Sequence, residues 1–287
     1  MKKTISIISC VAVLLLLAVG SPSGHAKEQV TRITVVGSTT VLPIVTRAAE
    51  LFVKHKNGAV SITVNAGGSG VGIQSAGQGR ADIGMASREI TPRERKRFKS
   101  SGLQTLAVGR DAVACVVSRK VYSAGVRALS KEQIGDIYLG KIKNWKEVGG
   151  PDREIVVIDK ERHRGTRHVF MKYIFENENA RTPGTRLVTG SNNEEQTKIA
   201  QSDSAIGMLS FAWMNDDVVG VGIREGSAVI EPTLENVRAN RYPIARDLIL
   251  VLAGEPQGIV REFVDFILSP EGQQIVVKSG YIPVHSN

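Results

Sequence analysis

The chain has 287 residues, 42% hydrophobic and 23% charged, with 29 glycines, 10 prolines and two cysteines. That balance excludes collagen-like, disordered and disulfide-scaffold proteins and fits two globular domains or one large one. Aromatics are only 5%, so an aliphatic core under helix-covered sheets is expected; a formal net charge of +9 suits nucleic acid, an anionic membrane or a small anion equally.

Residues 1–26 read as a secretory signal peptide. Lys2 and Lys3 give a positive start, Ile5 to Val19 is an almost unbroken apolar run, and Gly24 and Ala26 put small residues where a signal peptidase reads. A transmembrane anchor is the alternative reading. The run falls short of the roughly 20 residues that a span needs, and no charged stop-transfer flank follows it. Cys10 lies too early in the run for a lipoprotein acceptor. Cleavage after Ala26 leaves an expected periplasmic protein with Cys115 as its one cysteine. Within the apolar stretch Ala112 to Val117, that thiol reads as a small buried hydrophobe.

Strands then alternate with helices. Ile33 to Val36 predicts a strand, and Leu42 to about Lys54 a helix with Val45, Ala48, Ala49, Phe52 and Val53 at helical spacing. Ser61 to Asn65 is the next strand, and a helix follows Gly67-Gly-Ser-Gly70 through Gln78. A third strand, Ala81 to Ala86, ends in Ser87-Arg88. Thr91 caps a charged helix that Pro92 opens and that runs to Lys99, after which Ala107 to Ser118 is strand. Ser130-Lys-Glu-Gln133 is a capping box. Gly140 to Pro151 is a loop carrying Trp145, Ile155 to Ile158 a strand, and Arg167 to about Glu176 a helix. Strands at Ser204 to Ser210 and Leu248 to Leu252 precede helices at Ile259 to Leu268 and Pro270 to Lys278. The repeated strand–loop–helix unit argues an α/β fold with mostly parallel sheets.

Three junctions share one design, an apolar strand, a small hydroxyl-bearing loop and a helix. They are Gly37-Ser-Thr-Thr40, Gly67-Gly-Ser-Gly70 and Gly165-Thr166. Free amides and a positive dipole end at each helix start, with Ser and Thr hydroxyls beside them, suit an oxyanion. One such loop alone is only a cap and a turn; three converging would be a cage of neutral donors. Other chemistries fail on the letters. Gly-Lys-Ser/Thr is absent, Gly-x-Ser-x-Gly fails at Val71, and Ile73 stands where a dinucleotide motif needs its third glycine. His55, His163, His168 and His285 make no metal-ligand spacing, so neither metal nor cofactor is expected. Dispersed basic residues without interleaved aromatics argue against nucleic acid.

In order, Gly37-Ser-Thr-Thr-Val-Leu-Pro43, Gly67-Gly-Ser-Gly-Val-Gly72, Ala81-Asp-Ile-Gly-Met-Ala-Ser-Arg88, Gly165-Thr-Arg167, Gly190-Ser-Asn192, Ala205-Ile-Gly207 and Phe266-Ile-Leu-Ser-Pro-Glu-Gly272 run along nearly all of the mature chain. In them the sequence resembles the phosphate-binding subunits of Pst-type ABC transporters, extracytoplasmic solute-binding proteins. The resemblance implies a two-lobed periplasmic-binding-protein fold, type II-like, with a two-stranded hinge and a central ligand cleft. Lobe 1 is expected from 27–117 plus 216–287 and lobe 2 from 118–215. It implies a protein that binds phosphate as a monomer and delivers it to membrane permease subunits, with no chemistry of its own.

Carried over, Ser38, Thr39 and Thr40 donate from the first loop, Ser69 and Gly70 from the second, and Ser87 and Arg88 end the third strand. Gly165 and Thr166 match a Ser-Gly-Thr loop in which Arg164 replaces the serine, and Lys160 stands where an arginine is usual. Arg164 is then the candidate to supply the cation. Asp111 and Asp159 are candidate acceptors for the proton that distinguishes phosphate from sulfate; a hinge or surface ion pair is the competing reading for each. Alternatives to phosphate are sulfate, molybdate or phosphonate; alternatives to transport are a phosphate sensor and, less favoured, a secreted phosphatase or serine hydrolase.

Overall fold

The computed structural model describes residues 30–284; the expected signal peptide and His285 lie outside them. The first part of the chain builds strand–helix units: β1 (Thr31–Gly37), α1 (Leu42–His55), β2 (Val60–Ala66), α2 (Ser69–Gly77), β3 (Ile83–Ala86) and α3 (Pro92–Arg97). β1 pairs in parallel with β2 on one side and β3 on the other. α1 buries the stripe Ile44, Val45, Ala48, Ala49 and Phe52 against β1 residues Ile33 and Val35. At α3, Thr91 and Glu94 form the reciprocal capping box, which fixes where that charged helix starts.

β4 (Leu103–Ser118) is 16 residues long and leads into the second lobe. There follow α4 (Arg119–Ser123), β5 (Ala128–Ser130), α5 (Lys131–Tyr138), β6 (Val156–Lys160), α6 (Gly165–Phe175), β7 (Thr185–Thr189), α7 (Asn192–Ala200) and β8 (Ala205–Ser210). Three short strands, β9 (Val218–Gly220), β10 (Gly222–Glu225) and β11 (Ala228–Ile230), precede α8 (Leu234–Arg238). The chain then returns through β12 (Ala245–Ala253) and ends on α9 (Gly258–Leu268) and α10 (Pro270–Lys278).

One sheet runs through both lobes in the order β2-β1-β3-β12-β4-β8-β6-β7, with β9 also on β4. Its flanks are parallel, as expected. Its centre is antiparallel, because β12 enters from the other lobe instead of through a local crossover helix, and lies antiparallel to both β3 and β4. β4 pairs with β12 up to Ala112 and with β8 from Val113, so a single strand belongs to both lobes. The return crossing lies beside it, where Val113 N donates to Ile244 O at 2.9 Å.

Two large apolar clusters fill the lobes. One gathers Ile33, Val45, Phe52, Met85, Leu250 and Phe263; the other gathers Val117, Tyr138, Trp145, Phe170 and Met208. Val221, Ile223, Val237, Tyr242 and Ile244 belong to the second cluster. Residues 218–244, expected with the first lobe, therefore pack with the second, tied there by the sheet β11-β10-β5. Cys115 is fully buried, and burial pushes its thiol up, away from reactivity. No helix among the described residues is long and apolar enough to cross a membrane.

Trp145, in the loop before β6, is fully buried and donates from Nε1 to Ser204 O at 3.0 Å. Trp145→Ala is expected to destabilise the protein by about 3–5 kcal/mol, read as a lowered midpoint in urea unfolding.

Candidate anion-binding site

Four helix starts meet at one small polar cavity between the lobes, of about 10 Å³. The first loop already turns at Ser38, whose carbonyl accepts from Val41 and Leu42 amides, so the turn that becomes α1 points Ser38, Thr39 and Thr40 inward. Gly68 precedes α2 with φ of 84°, a conformation glycine adopts freely, and brings Ser69 to the cavity. From the second lobe come Gly165 and Thr166 at the start of α6, and Ser191 and Asn192 at the start of α7. Gly165 has no room for a side chain, since a methyl there would overlap the Ser69 hydroxyl and lie 2.6 Å from Ser87 Oγ.

The hydroxyls are linked. Ser38 Oγ donates to Ser87 Oγ at 3.0 Å, Ser69 Oγ lies 3.3 Å from Ser87 Oγ, and Ser87 N donates to Ser69 Oγ. Contacts across the cleft hold the lobes together. Asn192 Nδ2 donates to Thr40 Oγ1 at 3.0 Å, Gly70 N to His163 O at 3.0 Å, and Arg246 Nη1 to Thr166 Oγ1 at 3.1 Å.

Of the residues singled out in the sequence, Ser38, Thr39, Thr40, Ser69, Ser87, Lys160, Arg164, Gly165 and Thr166 line the cavity. Gly70 does not, because its amide is committed to the His163 carbonyl. Arg88 turns away and grips Glu94 through two hydrogen bonds of 2.8 and 2.7 Å. Asp111 faces Arg246, and Asp159 accepts from Arg167 Nε and from Thr182 Oγ1 at 2.7 Å. Both aspartates are buried ion-pair partners outside the lining. Gly68, Ser191 and Asn192 complete the lining without having been singled out one by one; the Gly67-Gly-Ser-Gly70 loop carried the signal for Gly68, and the Gly190-Ser-Asn192 piece that for the other two.

Lys160 is buried against Glu195, which also accepts from Met208 N at 2.7 Å and Thr189 Oγ1 at 3.1 Å. Burial lifts the Glu195 carboxyl and lowers the Lys160 ammonium, and their mutual attraction opposes both shifts. Arg164 pairs with Glu161 at the rim. A second, larger cleft on the Arg88 side, about 890 Å³, holds His168, whose imidazole burial pushes down to about 4. Among the described residues no group of three His, Cys, Asp or Glu side chains is placed to hold a metal ion.

Burial would raise the Glu94 carboxyl, but the Arg88 pair outweighs it and holds the group below its ordinary range. A depressed carboxylate contributes stability above its unfolded pKa and loses it as pH falls through the folded value. Arg88→Ala is thus expected to lower stability at neutral pH by about 1 kcal/mol, a penalty that fades in acid. Anion binding should be unchanged, as urea unfolding and ligand titration of the same variant will check.

Residues 21–271 match the model of the PBP superfamily domain. The phosphate-binding protein PstS of Bacillus subtilis is 33% identical over 266 residues, covering 92% of this chain and 85% of that protein. A candidate phosphate ABC transporter substrate-binding protein from Clostridium perfringens, solved with bound phosphate, is 35% identical with a TM-score of 0.79, covering 89% of this chain and all of that one. An ABC-type phosphate transport receptor from Vibrio cholerae is 29% identical with a TM-score of 0.70, covering 87% of this chain and 99% of that one. The chain belongs to the PBP superfamily and, within it, to the PstS family of phosphate-binding proteins.

Proposed function

We propose that this protein binds inorganic phosphate outside the cytoplasm, by closing its two lobes around the dehydrated ion, and delivers it as a monomer to the permease of an ABC transporter. The observation that carries the reading is the meeting of four helix starts, from both lobes, at one small cavity rich in hydroxyls. Ser38, Thr39, Thr40, Ser69 and Ser87 act as donors from one side; Lys160, Arg164, Gly165, Thr166, Ser191 and Asn192 act from the other. Micromolar affinity corresponds to about −8 kcal/mol, left after a charged anion has been stripped of water. Many charge-assisted hydrogen bonds in a closed, dry site supply that; an open cleft, with half the donors, does not. The signal-like start of the chain supports a periplasmic location, and the family supports the permease as partner.

One observation favours a broader ligand range. None of the lining residues is a carboxylate, and Asp111 and Asp159 are both engaged by arginines. Nothing of that kind stands in the cavity to accept the proton that phosphate carries and sulfate lacks, so sulfate is expected to compete measurably.

Calorimetric titration of ligand-stripped protein with phosphate, and then with sulfate as competitor, tests both statements. Saturable phosphate binding is expected, with sulfate displacing it; strong rejection of sulfate would defeat the second. Gly165→Ala, which wedges a methyl between the lobes, should weaken phosphate binding by about tenfold or more while leaving the melting temperature within a few degrees. Unchanged affinity in that variant would argue against closure around the ion.

A further inference from the structure

Arg246 does not line the cavity, yet its guanidinium touches hydroxyls of both lobes. It is buried, and Nε and Nη2 hold Asp111 Oδ2 at 3.0 and 2.7 Å. The remaining N–H groups reach Thr166 Oγ1 at 3.1 Å, Ser87 O at 3.2 Å and Thr40 Oγ1 at 3.3 Å. A guanidinium only donates, and a hydroxyl has two lone pairs and one proton. Thr40 Oγ1 accepts from Arg246 and from Asn192 Nδ2, so both lone pairs are taken and only its proton is left for the cavity. Thr166 gives a lone pair to Arg246 in the same way. The linked serines agree with this: two hydrogen bonds join three hydroxyls, so one proton is left over whichever way the Ser69–Ser87 bond points.

We propose that Arg246 is a positioning residue that turns the Thr40 and Thr166 hydroxyl protons toward the ligand and thereby selects the oxyanion form carrying the fewest protons. Dianionic phosphate is favoured over the monoanion, and sulfate is admitted beside it. The inference rests on the cavity being the phosphate site. Other charged groups face the cavity or back it. Lys160 on β6 is paired with Glu195 of α7, Arg164 is paired with Glu161, and His163 lies 3.4 Å from the Glu161 carboxylate. Asp111 on β4 is held by Arg246 itself. Each carboxylate already has a cation, and none lines the cavity.

The test compares the parent with Arg246→Lys and with the double variant Asp111→Asn/Arg246→Gln, which removes both charges and strands neither. Phosphate is titrated below and above its second ionisation, and sulfate at the higher pH. Taking the variant-to-parent ratio at each pH cancels what His163 and Glu161 contribute to both proteins. The double variant is expected to lose about tenfold or more for dianionic phosphate and for sulfate, the worth of one hydrogen bond to a charged group. Its loss for the monoanion should stay below about threefold. Arg246→Lys, with a point charge in place of a fork, should fall between and carries the comparison if the double variant does not fold. An equal loss for all three ligand forms, in whichever variant folds, would reduce Arg246 to a structural role and overturn the inference. Absence of phosphate binding in the parent, with sulfate still bound, would instead overturn the phosphate reading.

Discussion

Asp111 and Arg246 face each other across β4 and β12, one residue before the point where both crossings leave the first lobe. Each is almost wholly removed from water, and burial alone would raise the Asp111 carboxyl. A lone buried charge at that place would destabilise the fold by several kcal/mol; as a pair, with Ser210 Oγ donating to the second carboxylate oxygen, both are satisfied. The guanidinium's spare donors then go to Ser87, Thr40 and Thr166, which ties the hinge region to loops of both lobes. The geometry of the cavity is in this sense set from behind.

The cavity's own cations carry little free charge. Lys160 is matched by Glu195 and Arg164 by Glu161, so attraction for an anion rests largely on N–H and O–H dipoles at the helix starts. Half of those dipoles belong to each lobe. In the closure proposed here, an anion between them gains its full set of hydrogen bonds only when both lobes face it, which makes occupancy and closure one equilibrium. Reopening then releases the ion without a tight ion pair having to be broken.

The Ser/Thr/Gly loops were legible because their function lies in local backbone chemistry: a strand end, small residues and a helix start, all within a few positions. The third strand, the Thr91 N-cap, the Ser130 capping box and the helix from Pro270 were legible for the same reason. α7 was not, because its buried face consists of Asn192, Glu195 and Ile199, and a stripe that includes a glutamate gives no apolar period. The strands from Val218 to Ile230 are three or four residues each, too short for alternation to show, so nothing local qualified the lobe bounds that the resemblance implied for residues 218–244. Arg246 lies ahead of the strand expected from Leu248 and drew no reading, since its partner Asp111 lies 135 residues earlier. The outward turn of Arg88 depends on Glu94, which stands in a charged helical run where nothing local marks a buried partner.

β12 fills the gap between β3 and β4, so the sheet of the first lobe is completed by residues 245–253, close to the end of the chain. Contacts of such sequence separation form late and slowly. A nascent chain emerging from the ribosome thus carries a first lobe that is still split, with its central edges unpaired, until residues 245–253 have been made. Secretion channels thread extended polypeptide, and for a chain with the export proposed here, a topology that withholds its last central strand extends the time in which translocation can begin.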